Sequence, residues 1–308
     1  MTNGFATGLR SLPRLAVDTV YAFYGDDCPT MAAALSFYSF FSLPALLTLL
    51  LTLLGSVSDP AQVQRAIVGQ AGGLIGPQGA QQVATIIANT QQSKHALQVA
   101  TALSLLQLFL GATTAFAQLQ AALNKAWGVK PDPRRNQIGV FLVKRVFSFG
   151  IVITVAFLLL VSLGLTAALA AVSDRLTARL GIPAELLEVG TALGSFALVA
   201  ALFAVMFRYL PDARITWRDV RAGAIGTALL FVLGKTAIGL YLGRSDPGSV
   251  YGVAGSLAIV LIWVYYTSMI VLLGAEFTKL WARRHGRDVT PEKGAIAYVE
   301  EEHHLSSG

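Results

Sequence analysis

The chain has 308 residues, of which 55% are apolar and only 13% charged, with a mean hydropathy of +0.62. Soluble domains carry about twice that share of charge, so a soluble globular fold is excluded. The net charge of +6 would point to nucleic acid in a soluble chain, and the single cysteine, Cys28, excludes an intrachain disulfide and a cysteine-built metal site.

Six stretches nearly free of Asp, Glu, Lys and Arg are long enough to cross a bilayer. A span needs roughly 20 mostly apolar residues, and its backbone must be satisfied internally, so each is read as a helix. The N-terminal residues Met1–Arg14 lack an apolar signal core, so no cleaved leader is expected. Over Leu9–Tyr24, Leu12, Leu15, Ala16, Val20 and Phe23 recur at helical spacing, which predicts a helix lying on the inner leaflet. Asp26, Asp27 and Pro29 then mark the start of span 1, placed near 31–54. Pro44 removes one backbone hydrogen bond there and predicts a kink. Ser36, Tyr38, Ser39 and Ser42 precede it. Their hydroxyls either satisfy the freed backbone or mark a broken helix where substrate docks.

The longest loop, Asp59–Lys94, carries two apolar stripes. One is Val63, Ala66, Ile67, Ala71, Leu74 and Ile75; the other is Ala80, Val83, Ala84 and Ile87; glycines and Pro77 lie between them. Two short amphipathic helices in this first outer loop are predicted, either capping the outer mouth or covering apolar span ends. The remaining spans fall near 96–123, 146–172, 187–209, 222–242 and 254–280. Abundant Gly and Ala within them allow close helix approach. The fold class is therefore an all-α, six-transmembrane-helix bundle. Residues 1–285 form its single membrane domain, and 286–308 form a polar cytoplasmic tail.

Arg10 and Arg14, six basic residues over 125–145, four over 208–221 and five over 279–293 fall on one side of this topology. Arg65, Lys94, Arg175, Arg179 and Arg244 fall on the other. The positive-inside rule puts both termini in the cytoplasm. Anionic lipid headgroups are then the expected partners of the basic loops, and nucleic acid is not needed to explain the charge. Oligomeric state cannot be read from the chain.

Lys235 is the sharpest single feature, within about 4 Å of the centre of span 5. Such a residue usually faces the bundle interior. It lines a pathway and meets an anionic group, or it bonds carbonyls or snorkels outward. Glu276 ends span 6 with Lys279 at i+3, either as a weak boundary ion pair or as a gate or proton carrier. Tyr241 belongs to a polar cluster at the outer end of spans 5 and 6 that also holds Arg244, Asp246 and Tyr251. The candidate pathway residues are thus Lys235, Ser42, Pro44, Tyr38, Tyr241 and Glu276. No HExxH, P-loop or G-x-S-x-G pattern occurs, so no cofactor, metal or catalytic residue is assigned and no enzyme is expected. The acids Asp132, Asp212, Asp219 and Asp288 are spread over separate loops, whereas a two-metal nuclease needs them to converge.

Four segments carry a resemblance: AAALSFYSFFSLPALLTLL (Ala32–Leu50), AALNKAWGVKP (Ala121–Pro131), YLPDARITWRDVRAGA (Tyr209–Ala224) and SVYGVAGSLAIVLIWVYYTSMIVLLGAEFTKLW (Ser249–Trp281). Over about residues 10–285 the chain resembles the YihY/BrkB membrane protein family, once labelled a ribonuclease BN family. The resemblance implies six spans, a bacterial inner-membrane location and cytoplasmic termini. It also sets Lys235 and Tyr241 at the family's span 5 lysine and tyrosine. Some members are associated with virulence, and some are proposed to move lipids or other amphiphiles. The reading that follows is a transporter or lipid translocator, secondary or passive because no ATP motif is present. A membrane scaffold organising envelope machinery is the alternative, and ribonuclease activity is not expected.

Overall fold

The structure, a computed structural model, describes residues 12–55, 59–92, 99–134, 184–245 and 253–298. Span 3, expected near 146–172, lies outside the described residues. Seven helices run through the described parts in chain order: α1 (Leu12–Gly25), α2 (Cys28–Gly55), α3 (Pro60–Gln92), α4 (Val99–Ala126), α5 (Ala184–Tyr209), α6 (Trp217–Ser245) and α7 (Val253–Arg284). Four short strands accompany them: β1 (Val129–Pro131), β2 (Ala213–Arg214), β3 (Thr290–Pro291) and β4 (Ala295–Ala297). Among the described residues, three segments are long and apolar enough to cross a bilayer: Ala192–Tyr209, Trp217–Ile238 and Val260–Arg284.

α1 and α2 meet at a tight corner. Asp27 takes a left-handed backbone, φ 56°, and its carbonyl accepts the Met31 amide as α2 begins. Within α1 the buried face is Leu15, Thr19 and Phe23, which packs towards α7. Ala16 and Val20, grouped with that stripe in the sequence, are exposed instead, beside Val17, Tyr21 and Tyr24. The inward stripe follows i, i+4, i+8 spacing and accepts a threonine because the Thr19 hydroxyl bonds the Leu15 carbonyl at 2.7 Å.

α3 is helical from Pro60 to Gln92, through the glycines expected to separate two helices. It is not straight, however. A Cβ placed on Gly72 would lie 3.5 Å from the Ala80 Cβ, whereas eight residues of straight helix separate atoms by about 12 Å. The chain therefore turns back between two helical arms. Val63 is buried on the first arm and Ile87 on the second, and Gln62, Arg65, Gln81 and Thr85 are exposed, as the two stripes require.

α2 packs along α4 and α7, α5 lies against α6, and α6 runs beside α7. The α6–α7 approach depends on glycine. An added Cβ on Gly223 would collide with Thr278, one on Gly274 with Thr227, and one on Gly234 with Tyr266. These pairs keep a nearly constant antiparallel register over about 17 Å of helix. Each threonine hydroxyl bonds its own helix, Thr227 to the Gly223 carbonyl at 2.7 Å and Thr278 to that of Gly274 at 2.6 Å. The hydroxyls are thereby satisfied inside the contact, and the backbones approach closely.

The residues after 285 do not stand apart as a tail. Gly286, with φ 67°, ends α7, and the Arg287 amide returns to the Ala282 carbonyl at 3.0 Å, a Schellman closure. β3 then pairs with β2 and β4 with β1, both antiparallel. The boundary expected at 285/286 thus falls inside a folded cap extending to Tyr298, whose amide bonds the Gly128 carbonyl at 2.7 Å.

Candidate functional site

The end of the bundle that carries the cap is densely packed. Phe207, Leu123, Leu272, Trp127, Val220 and Cys28 are all buried there in one core. The Trp127 indole stands edge-on to Phe207 and donates to the Ala275 carbonyl at 3.0 Å. Asn124 clamps the segment between α5 and β2. Its amide nitrogen donates to Asp212 Oδ2 at 2.9 Å, and its oxygen accepts the Asp212 backbone amide at 2.8 Å. Gln120 donates to the other Asp212 oxygen at 3.3 Å.

α6 opens with a capping arrangement. The Thr216 hydroxyl donates to Asp219 Oδ2 at 2.6 Å, and the Asp219 and Val220 amides return to the Thr216 carbonyl. Arg287 completes it, its guanidinium donating to both oxygens of the buried Asp219 at 2.6–3.2 Å. The Arg208 guanidinium donates to the Ile215 carbonyl on the same side. Asp212 and Asp219, set aside in the sequence as scattered acids, are thus committed to separate pairs that hold the cap. No group of three or more His, Cys, Asp or Glu side chains able to hold a metal ion occurs among the described residues.

Within this end sits a charge cluster that the sequence only partly disclosed. Lys279 Nζ lies 3.0 Å from Glu276 Oε2 and 3.0 Å from Asp26 Oδ2, and it donates to the Ala126 carbonyl at 2.5 Å. The Glu276–Lys279 contact expected at i+3 is present. The pair is not a solvent-exposed one, because Glu276 is completely buried. Asp26, 250 residues earlier in the chain, had no signal tying it to this helix; the α1–α2 corner delivers it.

Lys235 sits apart from that cluster. From Val220 onward the described buried residues of α6 are Val220, Gly223, Ala224, Thr227, Ala228, Phe231 and Gly234, while Ile225, Leu229, Leu230, Val232 and Leu233 are exposed. Lys235 occupies the next position of the inward stripe and is half-buried. It lies four residues, about 6 Å, past the midpoint of α6. The α6–α7 register sets it opposite Tyr266, about 15 Å along α7 from Glu276, so the two charged positions are distinct sites. Phe231, Trp263 and Tyr266 form an aromatic row next to it, with ring centroids 6.0 and 6.4 Å apart. Among the described residues Lys235 has no ion-pair partner. Tyr38 is half-buried on α2 with its ring edge-on to Phe37. The side chains of Ser42, Pro44 and Tyr241 lie outside the described residues. Ser36 of the same run ties α2 to α7, donating to the Leu261 carbonyl at 2.7 Å.

The model of the virulence factor BrkB family matches residues 19–296, which takes in the corner, the cluster, Lys235 and the cap strands to within one residue of their end. The chain belongs to the BrkB family. It is similar to UPF0761 membrane proteins of several bacteria. That of Verminephrobacter eiseniae is 34% identical over 173 residues, covering 56% of this chain and 39% of that protein. That of Pseudomonas aeruginosa strain LESB58 is 30% identical over 282 residues, covering 86% and 63%. That of Paraburkholderia xenovorans is 27% identical over 271 residues, covering 87% and 59%. This BrkB-family chain thus spans less than two thirds of the length of these relatives. No solved structure matches it. Residues of the segments that carry the resemblance have physical roles: Asn124, Trp127 and Gly128 in NKAWG, and Asp212, Thr216 and Asp219 in the segment before and into α6, assemble the cap.

Proposed function

We propose that the chain is a six-span protein of the bacterial inner membrane, with both termini cytoplasmic, that moves a lipid or similar amphiphile and is not an enzyme. The observation that carries this reading is Lys235, half-buried on the inward stripe of α6 near the middle of the helix. A lysine at such depth costs at least about 2.5 kcal/mol on insertion scales unless something polar solvates or pairs it. A water-lined path, or an anionic headgroup passing along one, supplies that partner. An amphiphile keeps its tail in lipid while its headgroup meets the ammonium. Tyr266, set opposite by the α6–α7 register, adds a polar tip beside it. Movement is secondary or passive, since the chain has no nucleotide-binding motif. The exposed Arg214, Arg218 and Arg221 suit anionic headgroups at the cytoplasmic face.

The test is Lys235→Met, which keeps the apolar stem and removes the ammonium. In proteoliposomes the native chain moves a fluorescent phosphatidylglycerol analogue between leaflets, and the variant, inserted at the same level, does not. Equal rates contradict the reading. The folded cap favours one alternative, a scaffold presenting its basic surface to envelope proteins. Under that reading Lys235→Met is silent, and charge reversal at Arg214 and Arg218 abolishes function.

A further inference from the structure

Thr19, Thr85, Thr227, Thr236 and Thr278 each donate their hydroxyl to the carbonyl four residues back, at 2.6–3.1 Å. Thr267 on α7 does not. Its Oγ1 is shut away from solvent and has no hydrogen-bond partner, although the Trp263 carbonyl stands at the same spacing. Among the described residues only Thr267 and Glu276 bury a side-chain oxygen in that condition. A buried hydroxyl left this way is costly, and native structures keep few of them without a bound group to satisfy them.

Helical spacing places this hydroxyl. Trp263 packs against Phe231 of α6, and Gly274 against Thr227. Thr267 lies four residues past Trp263 and seven before Gly274, so it belongs to the α7 stripe that faces α6. The antiparallel register that sets Gly223 on Thr278 and Gly234 on Tyr266 puts Thr267 across from the turn 231–234. Lys235 follows Phe231 by four residues and Thr227 by eight, on the α6 stripe that faces back. A helical side chain leans over the turn N-terminal to its own Cα. In an antiparallel pair the two therefore lean towards each other, and no hydrogen bond joins them. Lys235 also has no ion-pair partner among the described residues. Two donors from facing helices thus stand at one level with no acceptor between them.

We infer that Lys235 and Thr267 together bind one headgroup oxyanion, the ammonium supplying the charge and the hydroxyl the second hydrogen bond. Phe231 and Trp263 beside them are apolar, so the oxyanion that fits is one carrying a lipid tail, a phosphodiester or a carboxylate. Lys235 is half-buried, so the ammonium's side of the gap is the open one. Thr267 is then a specificity-determining residue of the Lys235 site. As a step in lipid movement this assignment rests on the reading above; as a binding site it does not.

Thr267→Val and Thr267→Ser test it in the full chain. In proteoliposomes Thr267→Val slows leaflet exchange of the fluorescent phosphatidylglycerol analogue about tenfold, and Thr267→Ser, which keeps the hydroxyl, retains the native rate. Valine removes the unsatisfied hydroxyl at nearly the same size, so Thr267→Val unfolds in SDS no earlier than the native chain. A native rate in Thr267→Val means that the hydroxyl holds water alone and overturns the inference, while an inactive Lys235→Met leaves the transport reading standing. A slow Thr267→Ser, or a Thr267→Val that unfolds early, assigns Thr267 a packing role and overturns it too. Should the native chain move no lipid, the transport reading fails and binding decides. Native mass spectrometry with phosphatidylglycerol and oleate supplied separately then shows Thr267→Val and Lys235→Met each retaining one lipid fewer than the native chain, the lipid concerned telling phosphodiester from carboxylate. Equal retention of both lipids by all three overturns the site.

Discussion

Gly274→Ala inserts one methyl group where α6 and α7 are closest. The new Cβ meets all three side-chain heavy atoms of Thr227: it collides with Oγ1 and lies 3.0 Å from Cβ and 3.1 Å from Cγ2. No rotation of Thr227 relieves this, because its Cβ is fixed by the backbone. Rotation would also surrender the bond from its hydroxyl to the Gly223 carbonyl. Overpacking of this kind costs about 1–3 kcal/mol, and a lost buried hydrogen bond about 1 kcal/mol more. Against this stands the helix-propensity gain of alanine over glycine, about 1 kcal/mol. The net expectation is a loss of about 1–3 kcal/mol. Gly194→Ala on α5 is the control, since a Cβ there meets nothing within 4 Å; it leaves stability unchanged or raises it by up to about 1 kcal/mol. Unfolding by SDS in mixed micelles, followed by tryptophan fluorescence, measures both. In a double-mutant cycle, Thr227→Gly relieves Gly274→Ala with a coupling of at least about 1 kcal/mol. Equal stabilities for Gly274→Ala and Gly194→Ala, or no coupling, refute the interlock.

Two further outcomes follow from the cap. Asn124→Ala leaves Asp212 without its main side-chain donor and costs about 1–3 kcal/mol in the same assay; Asn124→Asp costs more, because it sets a second carboxylate against Asp212. Ending the chain after Gly286 removes Arg287, β3 and β4 together and lowers Tm further than Arg287→Ala, which keeps the strands. Equal Tm for those two variants would mean that the strand pairings contribute nothing.

Apolar length and the positions of the described helices α2 and α4–α7 were legible in the sequence, because runs of roughly 20 uncharged residues admit few alternatives. The apolar stripes of α3 were legible too, since Val63 and Ile87 sit at helical spacing from their neighbours. The α6–α7 contact was written as Gly-Ala-x-x-Thr in both helices, at 223–227 and 274–278. That repeat is a small-residue face every four positions, and in a chain with 29 glycines it does not stand out from the rest. The Asp26 contact was not legible, because only the corner at Asp27 and the packing of α1 bring it to Lys279. Nor were the cap strands: two or three residues of Thr-Pro or Ala-Ile-Ala carry no periodicity, and their partners lie more than 70 residues away. The Gly after Arg284-His285 was a signal for a helix end, and the polar composition beyond it hid the strands that follow.

The central claim, that a polar path reaches Lys235, is tested most directly by accessibility. In a Cys28→Ala background, Lys235→Cys and Leu233→Cys are exposed in intact membranes to a membrane-impermeant methanethiosulfonate reagent. Leu233 belongs to the outward apolar face of α6 and Lys235 to the inward stripe. The account predicts that the cysteine at 235 is modified and that at 233 is not. Protection of both, or modification at 233 alone, would contradict it.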